Sequence, residues 1–290
     1  MSESMEHGRT LQLRDRIFDP AAPCMLMGIL NITPDSFSDG GVFQHVDAAV
    51  ARALEMEREG ADIIDVGGES TRPGALEISA AEEMDRVLPV VEAIRLRSDL
   101  PISIDTRHAD VASAAIDAGA DIINDVSALR HDPLMKNAAA RLGVPVVLMH
   151  MQGTPATMQL QPAYENIMEE VILFFNERIA NCREAGIERI VLDPGIGFGK
   201  TVAHNLELLR ELSQLRRFEY PVLVGTSRKS FIGALTGAEV QDRLAGSIAS
   251  NVIAYLNGAR ILRVHDVKAT RDAIDVASAI ANSEVPQHAL

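Results

Sequence analysis

The residues able to do chemistry in this chain fall in short polar stretches, each directly after an apolar run. The densest is Val191–Lys200, VLDPGIGFGK: Ile190, Val191 and Leu192 end at a carboxylate, Asp193, followed by Pro194 and glycines at 195, 197 and 199. That pattern reads as a buried strand entering a loop whose backbone passes close to something. A P-loop needs glycine where Pro194 stands, and a dinucleotide fingerprint begun at Gly195 finds Lys200 where its last glycine belongs. Taken alone, the stretch fits an ordinary turn with Asp193 as a helix N-cap equally well.

The same grammar recurs at Asn31, Gly67–Gly68–Glu69, Asp105, Asn124, Met149–His150, Ser227–Arg228–Lys229 and at Arg263 with His265. Helix capping accounts for a lone polar residue after a strand. It does not account for Arg263 and His265, which are poor caps and, two apart, share one face of a strand. Nor does it account for Lys229, whose cation opposes the macrodipole at a helix start. Asp105, Asn124 and Asp193 offer oxygens to N–H and NH₂ groups, as on an aminopyrimidine edge, and the asparagine can also donate. Lys229 only donates, which suits a carbonyl or ring nitrogen. Arg263, His265 and the helix start near Ser38–Gly41 could hold a phosphate-type leaving group. Together these groups suit a polar heterocycle joined to an anion. His265 alone would read as a satisfied histidine near the core.

Stepping outward, apolar β-branched runs alternate with alanine-rich segments of helical spacing. The runs are Met25–Asn31, Asp62–Gly68, Pro101–Thr106, Asp121–Val126, Pro145–His150, Ile190–Asp193, Pro221–Ser227 and Ala259–Asp266; the first helix is expected over Val46–Glu59. Gly60, Gly119, Gly143, Gly186 and Gly258 each stand just before the next strand, where a left-handed C′ cap belongs. Eight strand–helix units without a composition break predict an α/β fold, a (β/α)₈ TIM barrel. A doubly wound sheet is the alternative, but no fingerprint turn follows the first strand. The expected organisation is one barrel domain over 21–290 behind a short N-terminal extension over 1–20. Two connections exceed what the fold needs, Asn31–His45 with Phe37, Ser38 and Asp39, and Gly67–Ser79 with Thr71, Arg72 and Pro73. Both read as lids on the catalytic rim.

The 290-residue chain carries a net charge of −14, which argues against nucleic acid or an anionic membrane as partner. It has no apolar run long enough to span a bilayer and no apolar secretory h-region. Cys24 and Cys182 lie far apart without metal-type spacing, so they read as reduced thiols of a cytoplasmic protein.

The motifs NITPDSFSDGG (31–41), ESTRPG (69–74), DT (105–106), IND (123–125), LDPGIGFGK (192–200), SRKSF (227–231) and RVHD (263–266) together resemble the dihydropteroate synthase family. The resemblance runs from about Met25 to the final helix. It implies condensation of 6-hydroxymethyl-7,8-dihydropterin diphosphate with 4-aminobenzoate, giving 7,8-dihydropteroate and pyrophosphate. By position, it implies a pterin held by Asp105, Asn124, Asp193 and Lys229, flanked by Met149 and Phe198, with Arg263 across its other face. Asn31, Arg263 and His265 would meet the pyrophosphate, and Asn31 its Mg²⁺. Phe37, Thr71, Arg72, Pro73 and Ser230 would form the aminobenzoate site, and Asp39 would stabilise positive charge as the leaving group departs. On the same basis sulfonamides are expected to compete with 4-aminobenzoate, and the chain to be a homodimer. Two rivals share the fold: a methyltransferase passing a methyl group from methyltetrahydrofolate to a corrinoid, and a non-catalytic pterin-binding barrel. The first needs neither the SRKSF lysine nor the RVHD pair; the second would have lost a loop or Lys229.

Overall fold

The computed structural model describes residues 11–14, 16–18, 24–32, 42–70 and 77–282. After two short strands, β1 (Leu11–Leu13) and β2 (Arg16–Phe18), strands and helices alternate along the chain. The order is β3 (Met25–Asn31), α1 (Val42–Arg58), β4 (Ile63–Gly67), α2 (Ala80–Arg95), β5 (Ile102–Asp105), α3 (Ala109–Asp117), β6 (Ile122–Asp125) and α4 (Met135–Leu142). It continues with β7 (Val146–Met149), α5 (Ile167–Glu184), β8 (Ile190–Asp193), α6 (Val202–Arg210), β9 (Leu223–Val224), α7 (Ser230–Thr236), α8 (Leu244–Leu256), β10 (Ile261–Val264) and α9 (Val267–Asn282). Strands β3 to β10 pair in parallel in the order β8-β7-β6-β5-β4-β3-β10-β9, and a parallel bridge from Leu192 to Val222 joins the two ends. The eight units expected from the alternation form a (β/α)₈ barrel.

The first helix begins at Val42, four residues before the point its spacing suggested, and α6 gives way after Arg210 to a 3₁₀ segment over Leu212–Phe218. The five glycines expected as caps all carry positive φ, from 64° at Gly143 to 113° at Gly119. No helix among the described residues is long and apolar enough to cross a membrane.

Side-chain parity decides what the barrel holds. Alternate strand residues such as Leu26, Leu30, Ile64, Val66, Ile102 and Ile104 join the large cluster between sheet and helices. The opposite set, Met27, Ile63, Ile122, Val147, Val191, Leu223 and Ile261, forms a separate cluster inside the barrel, joined from below by Leu13 of the N-terminal hairpin. These inward residues stand near the strand starts. Counting on by two along each strand reaches Asp65, Asn124, Met149, Asp193 and Arg263, so the interior passes from apolar at its floor to charged at its C-terminal mouth.

Candidate active site

Strand register sets the mouth in a ring. Asn31 is paired with Gly67, Gly67 with Asp105, Asp105 with Asn124, and Met149 with Asp193. On the far side Arg263 stands on β10, with His265 just past that strand. None of the three acceptors is a helix cap: α3 follows His108 without a side-chain cap bond, and α6 is capped by Thr201 in a capping box with His204. Asp193 instead accepts from the N–H of Gly195 at 2.7 Å, folding the glycine loop back over the strand end. Lys229 occupies the N-cap position of α7 with no capping bond, and its Nζ lies 4.0 Å from the centre of the Phe198 ring. The unfavourable helix-start cation is thereby turned into the mouth.

Arg263 is clamped by two carboxylates, its Nε donating to Asp65 Oδ2 at 2.6 Å and its Nη2 to Asp105 Oδ2 at 2.8 Å. Asp65 also accepts from Asn124 Nδ2, at 3.3 Å to each oxygen. Burial would lower the pKa of Arg263, but Asp65 and Asp105 outweigh it and the guanidinium stays charged. Burial pushes Asp105 up, with Asp65, Asp125 and Glu69 adding to it, against the pull of Arg263. Asp193 is likewise raised by burial, opposed by the Gly195 N–H, Lys229 and Lys200. Lys229 is lowered by burial and by Arg263, with Asp193 and Asp105 pulling the other way. His265 is lowered to about 4 by burial, Arg263 and Arg228, and so stands neutral at pH 7. Ser227 Oγ lies 3.2 Å from the His265 backbone N–H and 3.1 Å from its Nδ1. Accepting from the first and donating to the second satisfies the hydroxyl and leaves Nε2 as the N–H, a donor aimed away from Ser227.

The glycine loop is pinned from several directions. Gly197 N–H donates to Asn205 Oδ1 at 2.7 Å, Gln159 to Gly197 O at 2.8 Å, and the Tyr164 hydroxyl to Gly199 O at 2.8 Å. At its end Lys200 is buried, with Nζ 3.0 Å from His150 Nδ1, 3.2 Å from His150 O and 2.9 Å from Phe198 O. Burial and the charge of Lys229, outweighing the pull of Asp193, lower it to about 7, while burial with Lys200 and Arg130 lowers His150 to about 2. Nζ therefore donates to Nδ1 of the neutral imidazole and to the two carbonyls. Lys200 ties the end of β7 to the carbonyl that carries Phe198. Phe198 in turn packs against the buried cluster of Val126, Met149, Met151 and Met158. The mouth is thus lined by acceptors on one arc, by Lys229, Arg263 and His265 on the other, and by an apolar wall of Met149 and Phe198. It can hold a planar polar ring with an anionic tail.

A family model described as "Pterin binding enzyme" matches residues 27–265. Dihydropteroate synthase of Escherichia coli K12 is 51% identical over 261 residues, 89% of this chain and 92% of that protein. The chain belongs to the dihydropteroate synthase family. Among solved structures, Yersinia pestis dihydropteroate synthase in a sulfonamide drug complex matches with a TM-score of 0.89 at 48% identity, over 94% of this chain and 99% of that one. The Xanthomonas albilineans dihydropteroate synthase in complex with 7,8-dihydropteroate matches with a TM-score of 0.85 at 46% identity, over 96% and 100%.

Of the residues the sequence singled out, Asn31, Asp105, Asn124, Met149, Asp193, Phe198, Lys229, Ser230, Arg263 and His265 all lie at the C-terminal end of this family barrel. Phe37, Asp39, Thr71, Arg72, Pro73 and the stretch Ser38–Gly41 lie outside the described residues. Two residues of the mouth escaped sequence reasoning. Asp65 sits mid-strand, two residues before Gly67, and only its parity marks it as inward. In the sequence Lys200 serves only to exclude a dinucleotide fingerprint, although its buried hydrogen bonds hold the loop. Cys24 and Cys182 are free and buried, and burial pushes them to about 12 and about 11, which leaves both thiols inert.

Proposed function

We propose that this chain is a transferase of folate synthesis that joins 6-hydroxymethyl-7,8-dihydropterin diphosphate to 4-aminobenzoate, giving 7,8-dihydropteroate and releasing pyrophosphate. The observation that carries the substrate reading is the mouth itself: acceptors Asp105, Asn124 and Asp193 along one arc, donors Lys229, Arg263 and His265 along the other. The acceptors take the N–H groups of the aminopyrimidine edge, and Lys229 donates to the ring carbonyl or a ring nitrogen. Met149 and Phe198 cover one ring face, and the Arg263 guanidinium lies across the other. Family membership supports it, as do the relatives solved with 4-aminobenzoic acid and with 7,8-dihydropteroate.

Leaving-group departure precedes amine attack in this scheme. Loss of pyrophosphate leaves a methylene cation conjugated with the ring, so the barrier falls through electrostatic stabilisation and exclusion of water. Arg263 and the Nε2–H of His265 bind the departing oxygens, and the neutral state of His265 keeps it a donor without adding charge. Asp39 offsets positive charge on the ring system. Phe37, Thr71, Arg72, Pro73 and Ser230 receive 4-aminobenzoate, with Arg72 meeting its carboxylate. The amine then attacks an already activated carbon, and no covalent enzyme nucleophile takes part.

Mg²⁺ belongs to this reading. The Asn31 amide, half-buried at the end of β3, makes no hydrogen bond among the described residues, and its oxygen is a hard neutral donor of the kind Mg²⁺ takes beside substrate phosphates. Asn31 would hold the ion, which supplies neutralisation of pyrophosphate charge when bound. A homodimer is also part of the reading, supported by exposed Ile253 and Leu256 on α8 and Val276 and Ile280 on α9, helices outside the mouth. Pterin diphosphate with Mg²⁺, incubated with and without 4-aminobenzoate, tests the whole scheme by following pyrophosphate and dihydropteroate separately. Dihydropteroate forms only with both substrates, and sulfonamide suppresses it competitively. Tight pterin binding without product would favour the methyltransferase or the non-catalytic barrel instead.

A further inference from the structure

The rim beside β4, β5 and β6 gathers a second set of polar groups outside the pterin-facing ring. Glu77 lies shortly before α2, His108 immediately before α3, and His131 in the turn before α4. A carboxylate oxygen of Glu77 and a ring nitrogen of each histidine all lie within 4.8 Å of one another. His131 Nε2 is 3.2 Å from Glu77 Oε1, and the two imidazoles meet edge to face with centroids 5.4 Å apart. His108 makes no capping bond at the helix it precedes, and its Nε2 is buried without a hydrogen-bond partner among the described residues. A buried polar atom left unpaired is destabilising, so this nitrogen calls for a ligand.

We propose that Glu77, His108 and His131 bind a zinc-type divalent cation at the barrel rim, at a site separate from the phosphate-borne Mg²⁺. Two imidazoles and one carboxylate make a three-ligand set that leaves a fourth tetrahedral position to water. Imidazole nitrogens select Zn²⁺, Co²⁺ or Ni²⁺ over Mg²⁺, which takes oxygen. With bonds of about 2.1 Å, tetrahedral ligand atoms stand roughly 3.4 Å apart. The His131–Glu77 contact, at 3.2 Å, is already near that spacing.

Arg107 is the charge set against the site. Its Nη2 lies 3.3 Å from Glu77 Oε1 and its Nη1 3.5 Å from His131 Nδ1. That guanidinium is already neutralised by Glu69, with Nη2 at 2.8 Å from each carboxylate oxygen in a pair whose side chains are 8% and 6% exposed. Glu77, 58% exposed, is its loose second partner and is free to turn. Ligation through Nε2 puts the His131 proton on Nδ1, which then swings off Arg107. Asp132, near both histidines and held by the N–H groups of Ala109 and Leu134, and Asp125 near His131 favour a cation there. Such an ion ties the end of the Gly67–Ser79 connection to the loops after β5 and β6. The binding of the ion does not rest on the proposed function.

The full chain, stripped with a chelator, is titrated calorimetrically with ZnCl₂ and spectroscopically with CoCl₂. The expected result is one ion per chain, strong visible bands of four-coordinate cobalt, and no competition from excess Mg²⁺. His108→Ala and the more exposed His131→Ala each weaken binding by about tenfold or more, whereas His204→Ala on α6 does not. Absence of binding, weak octahedral cobalt bands, or affinity unchanged in both variants overturns the proposal. Turnover of the stripped wild-type chain with Mg²⁺ and both substrates is measured alongside, so failure of the zinc site and failure of the proposed reaction give separate readings.

Discussion

Replacing Gly195 by alanine separates backbone strain from steric displacement of the mouth. Gly195 has φ +68°, and a Cβ there would lie 2.0 Å from the carbonyl oxygen of His150 and 3.1 Å from its carbon. Gly186, a helix C′ cap, has φ +81° with nothing within 4 Å of an added Cβ. Both substitutions carry the left-handed penalty, roughly 1–2 kcal/mol. Only Gly195 must also move, because carbon and its neighbours settle at about 3.5 Å and the obstruction is backbone, which cannot rotate aside. The loop must retreat by more than about 1 Å, dragging groups bonded to it. Gly195 N–H holds Asp193 Oδ1 at 2.7 Å, and Gly195 O holds the Phe198 N–H at 3.0 Å. A misplacement of about 1 Å in a substrate-positioning group costs on the order of 100-fold in rate. Gly195→Ala is therefore expected to lose about 100-fold in kcat/KM for pterin diphosphate, while Gly186→Ala keeps near-wild-type kinetics with a modest loss of stability. Initial rates at saturating 4-aminobenzoate, with denaturant unfolding of both variants, check this. Wild-type kcat/KM in Gly195→Ala, or equal impairment of the two, would refute the steric argument.

Asp193→Asn turns a carboxylate acceptor into half a donor and is expected to weaken pterin diphosphate binding severely; calorimetric titration that finds unchanged affinity removes Asp193 from the pterin contacts. Lys200→Met leaves the carbonyls of His150 and Phe198 without their buried donor, at about 1–3 kcal/mol for each unpaired group. Its KM for pterin diphosphate should rise about tenfold with kcat less affected, since Phe198 is positioned through Lys200, and a kcat-only defect would contradict that route. His150 and His265 make a contribution to stability that acid removes from about pH 6.5 downward. His150 at about 2 and His265 at about 4 stay neutral in the native state while their unfolded counterparts, near 6.5, take up protons. At these two sites the unfolded chain binds more protons, so their contribution rises with pH across that window and falls as pH drops, by about 1.4 kcal/mol per pH unit for each histidine, while the raised carboxyls of Glu83 and Asp105 act in the opposite sense. Urea unfolding between pH 4.5 and 6 should show a slope of stability against pH that is lower in His150→Phe than in the wild type by about 1.4 kcal/mol per pH unit, and an unaltered slope would mean His150 is not the proton acceptor. Arg72→Ala should raise the KM for 4-aminobenzoate with pterin affinity kept, and steady-state kinetics showing a pterin-only defect would contradict the loop's assignment.

What the sequence made legible follows from which signals are local. Eight apolar runs, the glycines closing five helices, and polar residues at strand ends are all readable within a few positions. They suffice for the barrel and for most of its mouth. Asp65 carries no such mark, since it sits inside the run IIDVGG with no loop to point it out. Its partners Arg263 and Asn124 are 198 and 59 residues away. Lys200 is hidden for the same reason, because His150 becomes its neighbour only when β7 and β8 pair.

Asp65 settles one question the sequence left open. Asparagine can accept or donate, so Asn124 could face a ligand with either group. Beside Arg263, Asp65 offers only acceptor oxygens, and the Asn124 NH₂ lies 3.3 Å from both. The amide orientation is thereby fixed, with Oδ1 left as the group turned elsewhere. The arc from Asp105 through Asn124 to Asp193 consequently presents acceptors throughout, closed into a ring by the cations Lys229 and Arg263, the second of them paired with Asp105. A ligand filling it must bring N–H groups to one side and oxygen or negative charge to the other. Asp65, fully buried, imposes that polarity because one carboxylate orients both the acceptor amide and the guanidinium.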